Sequence, residues 1–143
     1  MKKNGFTLLE IIVVLFLITL ILGLSTVFFA GYLPSVKLNA TGREIAGTIR
    51  HARSLARMNM ESRTVMIDLD GRTYGIEGLG TKPFPPDTLV RVIDPFSGEI
   101  TRGKYPIVFH PSGGMSGGTL LLTSGKKTVR IETDPILGAV IIK

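Results

Sequence analysis

The sequence has no cysteine, no tryptophan, and two histidines, His51 and His110. Without cysteine there is no disulfide to brace an exported domain, so any core must hold by packing alone. Charge is missing from one long stretch. From Ile11 to Leu33 no residue is charged, and Thr19, Ser25, Thr26 and Tyr32 are its polar interruptions. A helix of that length reaches ~35 Å and can cross a bilayer core of ~30 Å. A purely soluble globular protein is therefore excluded. One carboxylate, Glu10, stands at the start of the run. A carboxylate in lipid is costly and by default asks for a partner.

What precedes the run is a short basic leader, Lys2 and Lys3, then Gly5-Phe6-Thr7-Leu8-Leu9-Glu10. This opening resembles the class III signal of type IV pilins and type II secretion pseudopilins. The resemblance implies that a membrane peptidase cuts between Gly5 and Phe6 and methylates the new amine of Phe6. It also implies that Glu10 meets the Phe6 amine of a neighbouring subunit and sets the stagger between subunits during assembly. An ordinary secretory signal fits less well, because its apolar region spans ~7–15 residues and ends in small residues. A plain uncleaved anchor explains the apolar run and the basic flank, which favours a cytoplasmic N-terminus. It leaves Glu10 unexplained, unless that side chain snorkels to the headgroups.

Of the 143 residues, those beyond 33 suffice for one small domain. The formal net charge is +6, and loss of Lys2 and Lys3 leaves +4, too modest to prescribe a partner. Pro34 predicts a bend or a brief interruption of the helix. Beyond it, Leu38, Ile45, Ile49, Ala52, Ala56 and Met60 recur at helical spacing and predict an amphipathic helix over residues 34–61. Gly42 and Gly47 weaken its middle. Arg43, Arg50, Arg53 and Arg57 form a stripe on an adjacent face. The stripe suits a solvated face, a contact with acidic surfaces of other subunits, or phosphate binding.

Alternation then changes to the period of a strand. Val65, Ile67 and Leu69 share one face, and Asp70-Gly71 is a hairpin turn signal before 72–77. Further strands are predicted over 88–93, 107–109, 119–123, 127–133 and 139–142, with loops over 78–87, 94–106 and 110–118 and a turn over 134–138. The expected fold class is α+β. A long N-terminal helix, membrane-spanning in its first half and amphipathic in its second, packs on a small antiparallel β domain. The expected domains are a leader (1–5), a transmembrane and filament-core helix (6–33), an amphipathic helix (34–61) and a periplasmic β domain (62–143).

With those elements placed, the resemblance narrows. The helix from Leu38 to Arg57 running into Arg63-Thr-Val-Met-Ile, and the C-terminal Phe109-His-Pro-Ser-Gly-Gly with Gly118-Thr-Leu-Leu-Leu and Thr128-Val-Arg-Ile-Glu-Thr, resemble H-class minor pseudopilins. They also resemble the related FimT/FimU-like minor pilins. Some of those bind DNA through a C-terminal Gly-Arg motif. Here that place reads Leu137-Gly138-Ala139-Val140-Ile141-Ile142-Lys143, which counts against nucleic acid as a partner.

Chemistry-bearing motifs are thin. Asp68-Leu-Asp70-Gly71 lacks the remaining ligands of a calcium loop, and a hairpin turn is the simpler account. The glycine-rich 110–118 segment lacks the Gly-Lys-Ser/Thr ending of a P-loop and reads as a flexible loop. His110 and Ser112 have no third member that would make a catalytic group, and His51 reads as a solvated side chain. No enzyme activity, cofactor or metal is expected. The expected function is a minor pseudopilin of a type II secretion pseudopilus. Its partners would be other pilins or pseudopilins, the prepilin peptidase and the inner-membrane assembly platform. The location would be a single pass of the inner membrane with the C-terminal domain periplasmic, and then a filament. The alternatives are a minor type IV pilus subunit, or a membrane-anchored binding module with no filament role.

Overall fold

The computed structural model describes residues 5–134 and 139–143, with residues 26–34 described by backbone alone. The expected leader residues before Gly5 and most of the 134–138 turn lie outside the described residues. The chain divides into two compact units, Met1–Leu33 and Pro34–Lys143.

Helix α1 (Leu8–Asn59) is 52 residues long and its assignment runs through Pro34 without a break. Proline removes one backbone hydrogen bond, and the ladder on either side suffices to keep the helical assignment continuous. Among the described residues of the first unit the apolar side chains are exposed: Leu8 79 %, Ile21 60 % and Leu24 57 %. Nothing within that unit covers them.

In the second unit α1 turns amphipathic. Leu38, Ile45, Ile49, Ala52 and Ala56 are buried, as their spacing predicts, together with Ala46. Met60 departs from the expected stripe and is 75 % exposed. The helix stops at Asn59, Met60 takes a left-handed φ of 54°, and the Glu61 N–H donates to the Ala56 carbonyl at 3.2 Å. That is a Schellman-type stop, and it swings Met60 off the buried face.

Among the described residues ten strands follow, in two antiparallel five-stranded sheets. They are β1 (Arg63–Asp68), β2 (Thr73–Ile76), β3 (Gly80–Pro83), β4 (Leu89–Asp94), β5 (Gly98–Ile100), β6 (Lys104–Phe109), β7 (Met115–Ser116), β8 (Thr119–Ser124), β9 (Lys127–Thr133) and β10 (Val140–Ile142). The first sheet has the order β3-β2-β1-β6-β7, the second β10-β9-β8-β4-β5. The period of two decides which faces point inward. Val65 and Ile67, Val90 and Val92, Ile107 and Phe109, Leu120 and Leu122, and Val129 and Ile131 are all buried in one core shared with the helix. Each fully buried aliphatic side chain contributes roughly 1.5–3 kcal/mol, so this alternation is the main source of stability.

The α+β arrangement is the expected one. Three short strands, β3, β5 and β7, lie where the sequence predicts loops. Strand β6 also begins at Lys104, ahead of Ile107, and contains Pro106. Proline is tolerated there because β7 pairs only with Val108 and Phe109, so no neighbour on that side needs its missing N–H. The chain crosses from β7 in one sheet to β8 in the other through Gly117-Gly118. A Cβ on Gly118 would lie 2.3 Å from the Ile93 carbonyl oxygen, so this crossing requires glycine.

Candidate functional site

Three places on the chain carry the residues of interest. The first is the start of α1. Gly5, Phe6 and Thr7 precede the helix, Phe6 is 80 % exposed, and among the described residues no atom beyond its chain neighbours comes within 4 Å of the position a Cβ on Gly5 would take. The Gly5-Phe6 bond therefore sits in accessible, non-helical chain. Thr7 is the helix cap. Its carbonyl and its Oγ1 both accept from the Glu10 N–H, at 3.1 and 3.3 Å, and its carbonyl also takes the Ile11 N–H at 3.3 Å. Thr7 and Glu10 thus have the Thr-x-x-Glu spacing of a capping box. Glu10 lies in the first turn, where the positive end of the helix dipole favours a carboxylate. The sequence reading missed this local role, although the spacing was its signal. Immediately downstream, Leu8–Ser25 forms a helical span long and apolar enough to cross a membrane.

The second place is the arginine face of α1. Arg43, Arg50 and Arg57 are exposed and Arg53 is half-buried. Arg50, Arg53 and Arg57 come together around a shallow cleft of about 270 Å³, with Ser54 and Met58, and Arg43 stands outside it. The β domain anchors Arg50 and borders Arg57. The Arg50 Nη2 donates to the Val140 carbonyl at 3.2 Å. The Arg57 Nη2 lies 3.1 Å from where a Cβ on Gly113 would be, so a side chain there would press on the guanidinium.

The third place is the β4–β5 turn. Asp94 Oδ1 accepts from the Phe96 N–H at 2.9 Å and the Ser97 N–H at 2.7 Å, and the Tyr105 hydroxyl donates to Asp94 Oδ2 at 2.5 Å. The Tyr105 hydrogen bond, and after it the backbone N–H groups, hold the Asp94 carboxyl below its ordinary range. Burial, with Asp94 beside it, raises the Tyr105 hydroxyl. This turn presents Phe96, 98 % exposed, beside an apolar cleft of about 530 Å³. Nothing in the sequence pattern distinguishes Phe96 from a loop residue.

Comparison with known proteins bears on all three places. The family model described as "Type II transport protein GspH" matches residues 41–136, more than half of the chain. The chain belongs to the GspH family. A second model, the prokaryotic N-terminal methylation motif, matches residues 1–26. No curated protein and no solved structure matches the chain. The GspH match covers most of the amphipathic half of α1 and most of the β domain, and the methylation motif covers Gly5, Phe6 and Glu10. The protein is thus a pilin-like type II secretion pseudopilin, a family of structural subunits. Its apolar helix and methylation motif fit a membrane-anchored chain.

The remaining candidates of this GspH chain serve its fold. Asp68 Oδ1 accepts from the Gly71 N–H at 2.6 Å, and Asp70 Oδ2 from the Gly103 N–H at 3.0 Å. Both carboxylates tie turns, and the β1–β2 connection spans residues 69–72, longer than Asp70-Gly71 alone. The glycine-rich segment is an ordered turn: the His110 N–H donates to the Gly114 carbonyl at 2.9 Å and the Gly113 N–H to the His110 carbonyl at 3.0 Å. His110 Nδ1 stands 3.3 Å from the Ser62 Oγ, and Ser112 is exposed. His51 is exposed on the rim of a hollow shared with Tyr74 and Lys82. Lys82 bonds Glu44 at 2.6 Å and thereby lowers the Glu44 carboxyl. Burial, and then the Glu44 charge, push the Tyr74 hydroxyl up to about 12.

Proposed function

We propose that this chain is a minor pseudopilin made as a membrane-anchored precursor, cut between Gly5 and Phe6, methylated on Phe6, and drawn into a periplasmic filament that drives protein export. The observation that carries the reading is the exposed apolar span Leu8–Ser25 directly after an accessible Gly5-Phe6 junction, in a chain of the GspH family. The role is structural and needs no catalytic group. Lys2 and Lys3 favour a cytoplasmic N-terminus, which leaves the β domain in the periplasm. The exposed apolar side chains lie in lipid before assembly and against the equivalent helices of other subunits afterwards. The prepilin peptidase and an inner-membrane assembly platform are the partners along that path.

Glu10 gives the reading its mechanism. Cleavage creates an amine at Phe6 with an ordinary pKa of ~8, positively charged at neutral pH. In a low-dielectric helix bundle a carboxylate one turn along a neighbouring chain attracts that amine and fixes the stagger. Desolvating both groups opposes the gain, so the pair selects register more than it adds stability.

The test replaces Glu10 by Val, Gln and Asp in the full chain and measures each variant in sheared filaments, normalised to its level in membranes. Glu10→Val inserts normally and enters filaments poorly. Glu10→Gln keeps a side chain able to complete the capping box but loses the charge, and it fails as Glu10→Val does. Glu10→Asp is intermediate, because the charge stays and the reach shortens. Wild-type incorporation by Glu10→Gln would reduce Glu10 to a helix cap, and absence of the wild-type chain from filaments would sink the filament reading.

A further inference from the structure

The arginine cleft on α1 is a built feature, and the charges around it define what it can take. Arg50 is pinned to the Val140 carbonyl, Arg57 is set against Gly113, and Arg53 is half-buried and engaged in an interaction of its own. Among the described residues no carboxylate lines the cleft. The nearest acidic residues along this part of the chain are committed elsewhere: Glu44 bonds Lys82 at 2.6 Å, and Glu61 bonds Arg63 at 3.3 Å. Among the described residues the ion pairs engage Arg63, Lys82, Arg91, Lys104, Arg130 and Lys143, and neither Arg50 nor Arg57. Arg50 is thus anchored and Arg57 lies near Gly113, and among the described residues neither guanidinium fork has a carboxylate partner. Their geometry matches carboxylate bidentately, and part of the ordering cost is already met by the β domain.

We propose that Arg50, Arg53 and Arg57 form a docking cleft for a short acidic segment of a neighbouring filament subunit. The inference rests on the filament reading above and adds the chemistry of the contact. The size of the site favours an acidic protein segment over nucleic acid. Arg50 to Arg57 spans two turns, roughly 10 Å of helix axis. A cleft of about 270 Å³ accommodates one or two carboxylate side chains. Nucleic-acid grip takes a longer track, on the order of 6–10 phosphate contacts. Arg130 sits between inward-facing Val129 and Ile131 and so points away from α1, and both it and Lys143 are paired with Glu132, at 2.8 and 3.0 Å.

The experiment places a photo-reactive residue at Met58, exposed on the cleft's rim, in the full-length chain. Filaments are irradiated and the joined peptide is sequenced. The expected adduct is to another filament subunit, at a peptide containing Asp or Glu. Arg57→Glu lowers its yield by about tenfold, the scale expected when a like-charge contact replaces an attractive one. Arg57→Lys retains much of the yield, and Lys126→Glu, the same charge change in a distant exposed turn, leaves it unchanged. Arg57→Gln removes the charge without reversing it, and serves if the reversal lowers the protein level. An adduct to nucleic acid, to a peptide without acidic residues, or one indifferent to Arg57→Glu and Arg57→Gln overturns the cleft. If the chain never enters filaments, the filament reading falls and membranes are irradiated instead. A charge-sensitive adduct to an acidic peptide there upholds the cleft, and its absence overturns it.

Discussion

Gly42 and Gly47 lie in the same amphipathic stretch of α1, and the same substitution should move stability in opposite directions at the two. In a helix interior Gly→Ala gains about 1 kcal/mol, because alanine has less backbone entropy to lose. At Gly47 nothing lies within 4 Å of the added Cβ, so the gain is expressed in full. At Gly42 the Cβ would come 2.9 Å from the Val129 Cγ1 and 4.0 Å from the Leu122 Cδ1. Carbon atoms rest at roughly 3.5–4 Å, so helix and sheet must part by more than half an ångström or Val129 must leave its rotamer. Val129 has little room, because β9 is an interior strand held in register by Leu122↔Val129 and Leu120↔Ile131. Overpacking of this kind typically costs about 1–3 kcal/mol, which cancels the helix gain and leaves a net loss of up to ~2 kcal/mol. The two variants should therefore differ by about 1–3 kcal/mol. The assay is urea unfolding of residues 34–143, compared by midpoint with the slope checked for constancy. Adding Val129→Ala to Gly42→Ala should recover part of the loss, giving a favourable coupling between the two sites. A Gly42→Ala variant as stabilised as Gly47→Ala refutes the close seating of α1 on β9.

Processing is tested by mass spectrometry. The mature protein should begin at N-methyl-Phe6, a bulky residue in place of Gly5 should accumulate precursor, and an intact Met1 in a host with the peptidase would end the claim. Residues 34–143 alone should be soluble and give a circular dichroism spectrum of one helix plus substantial strand, and a mainly helical or disordered spectrum would contradict the fold. Stability should hold with rising pH until ~10, the ordinary tyrosine pKa, and then fall, because Tyr74 and Tyr105 are raised and folding protects their neutral forms. Spectrophotometric titration should show Tyr74 ionising near 12, and ionisation of both tyrosines at the ordinary value in the native protein would contradict their burial. Lowered Glu44, Asp94 and Glu132 carboxyls set the acid side: their contribution is present above the ordinary carboxylate range and lost as pH falls through the depressed values, so stability should decline below ~4, and a flat acid limb would contradict it.

The elements legible in the sequence are those whose burial imposes a period. The buried stripe from Leu38 to Ala56, and the strands carrying Val65 and Ile67, Leu120 and Leu122, and Val129 and Ile131, all show one. The elements that escaped have no such pattern. All four residues of β3 are exposed, and its place at a sheet edge is fixed by backbone pairing with β2. Strand β5 has three residues and β7 two, too few for any alternation to register. Met60 fits the helical period and still falls outside the helix, because a capping motif decides the stop and periodicity does not see it. Of the candidate site, the Gly5-Phe6 junction, Glu10 and the arginine stripe were visible as residue types at a spacing. What was hidden is tertiary: that Arg50, Arg53 and Arg57 converge while Arg43 stands apart, and that Asp94 holds Phe96 out into solvent.

The cap at Thr7 sharpens what Glu10 must be doing. A first-turn carboxylate gains from the helix dipole, and a capping box satisfies backbone donors that otherwise lack partners. The dipole gain explains why an acidic residue is tolerated at the head of an apolar span. The local gains do not require a charge, because Gln fills the same place in a capping box and enters lipid at lower cost. The charge has a use only where a cation comes near, and within the chain itself Lys2 and Lys3 are removed if the Gly5-Phe6 bond is cut. Cutting creates the replacement, an amine at Phe6, beside the same helix end whose dipole already repels it. In its own chain that amine sits next to the cap. In a neighbouring chain displaced along the bundle it can approach Glu10 from outside the first turn, away from the positive end of its own helix. On the reading proposed above, a capped helix start with a negative third residue and a positive new terminus would be complementary to a copy of itself in one stagger. It would serve equally against any other chain processed in the same way.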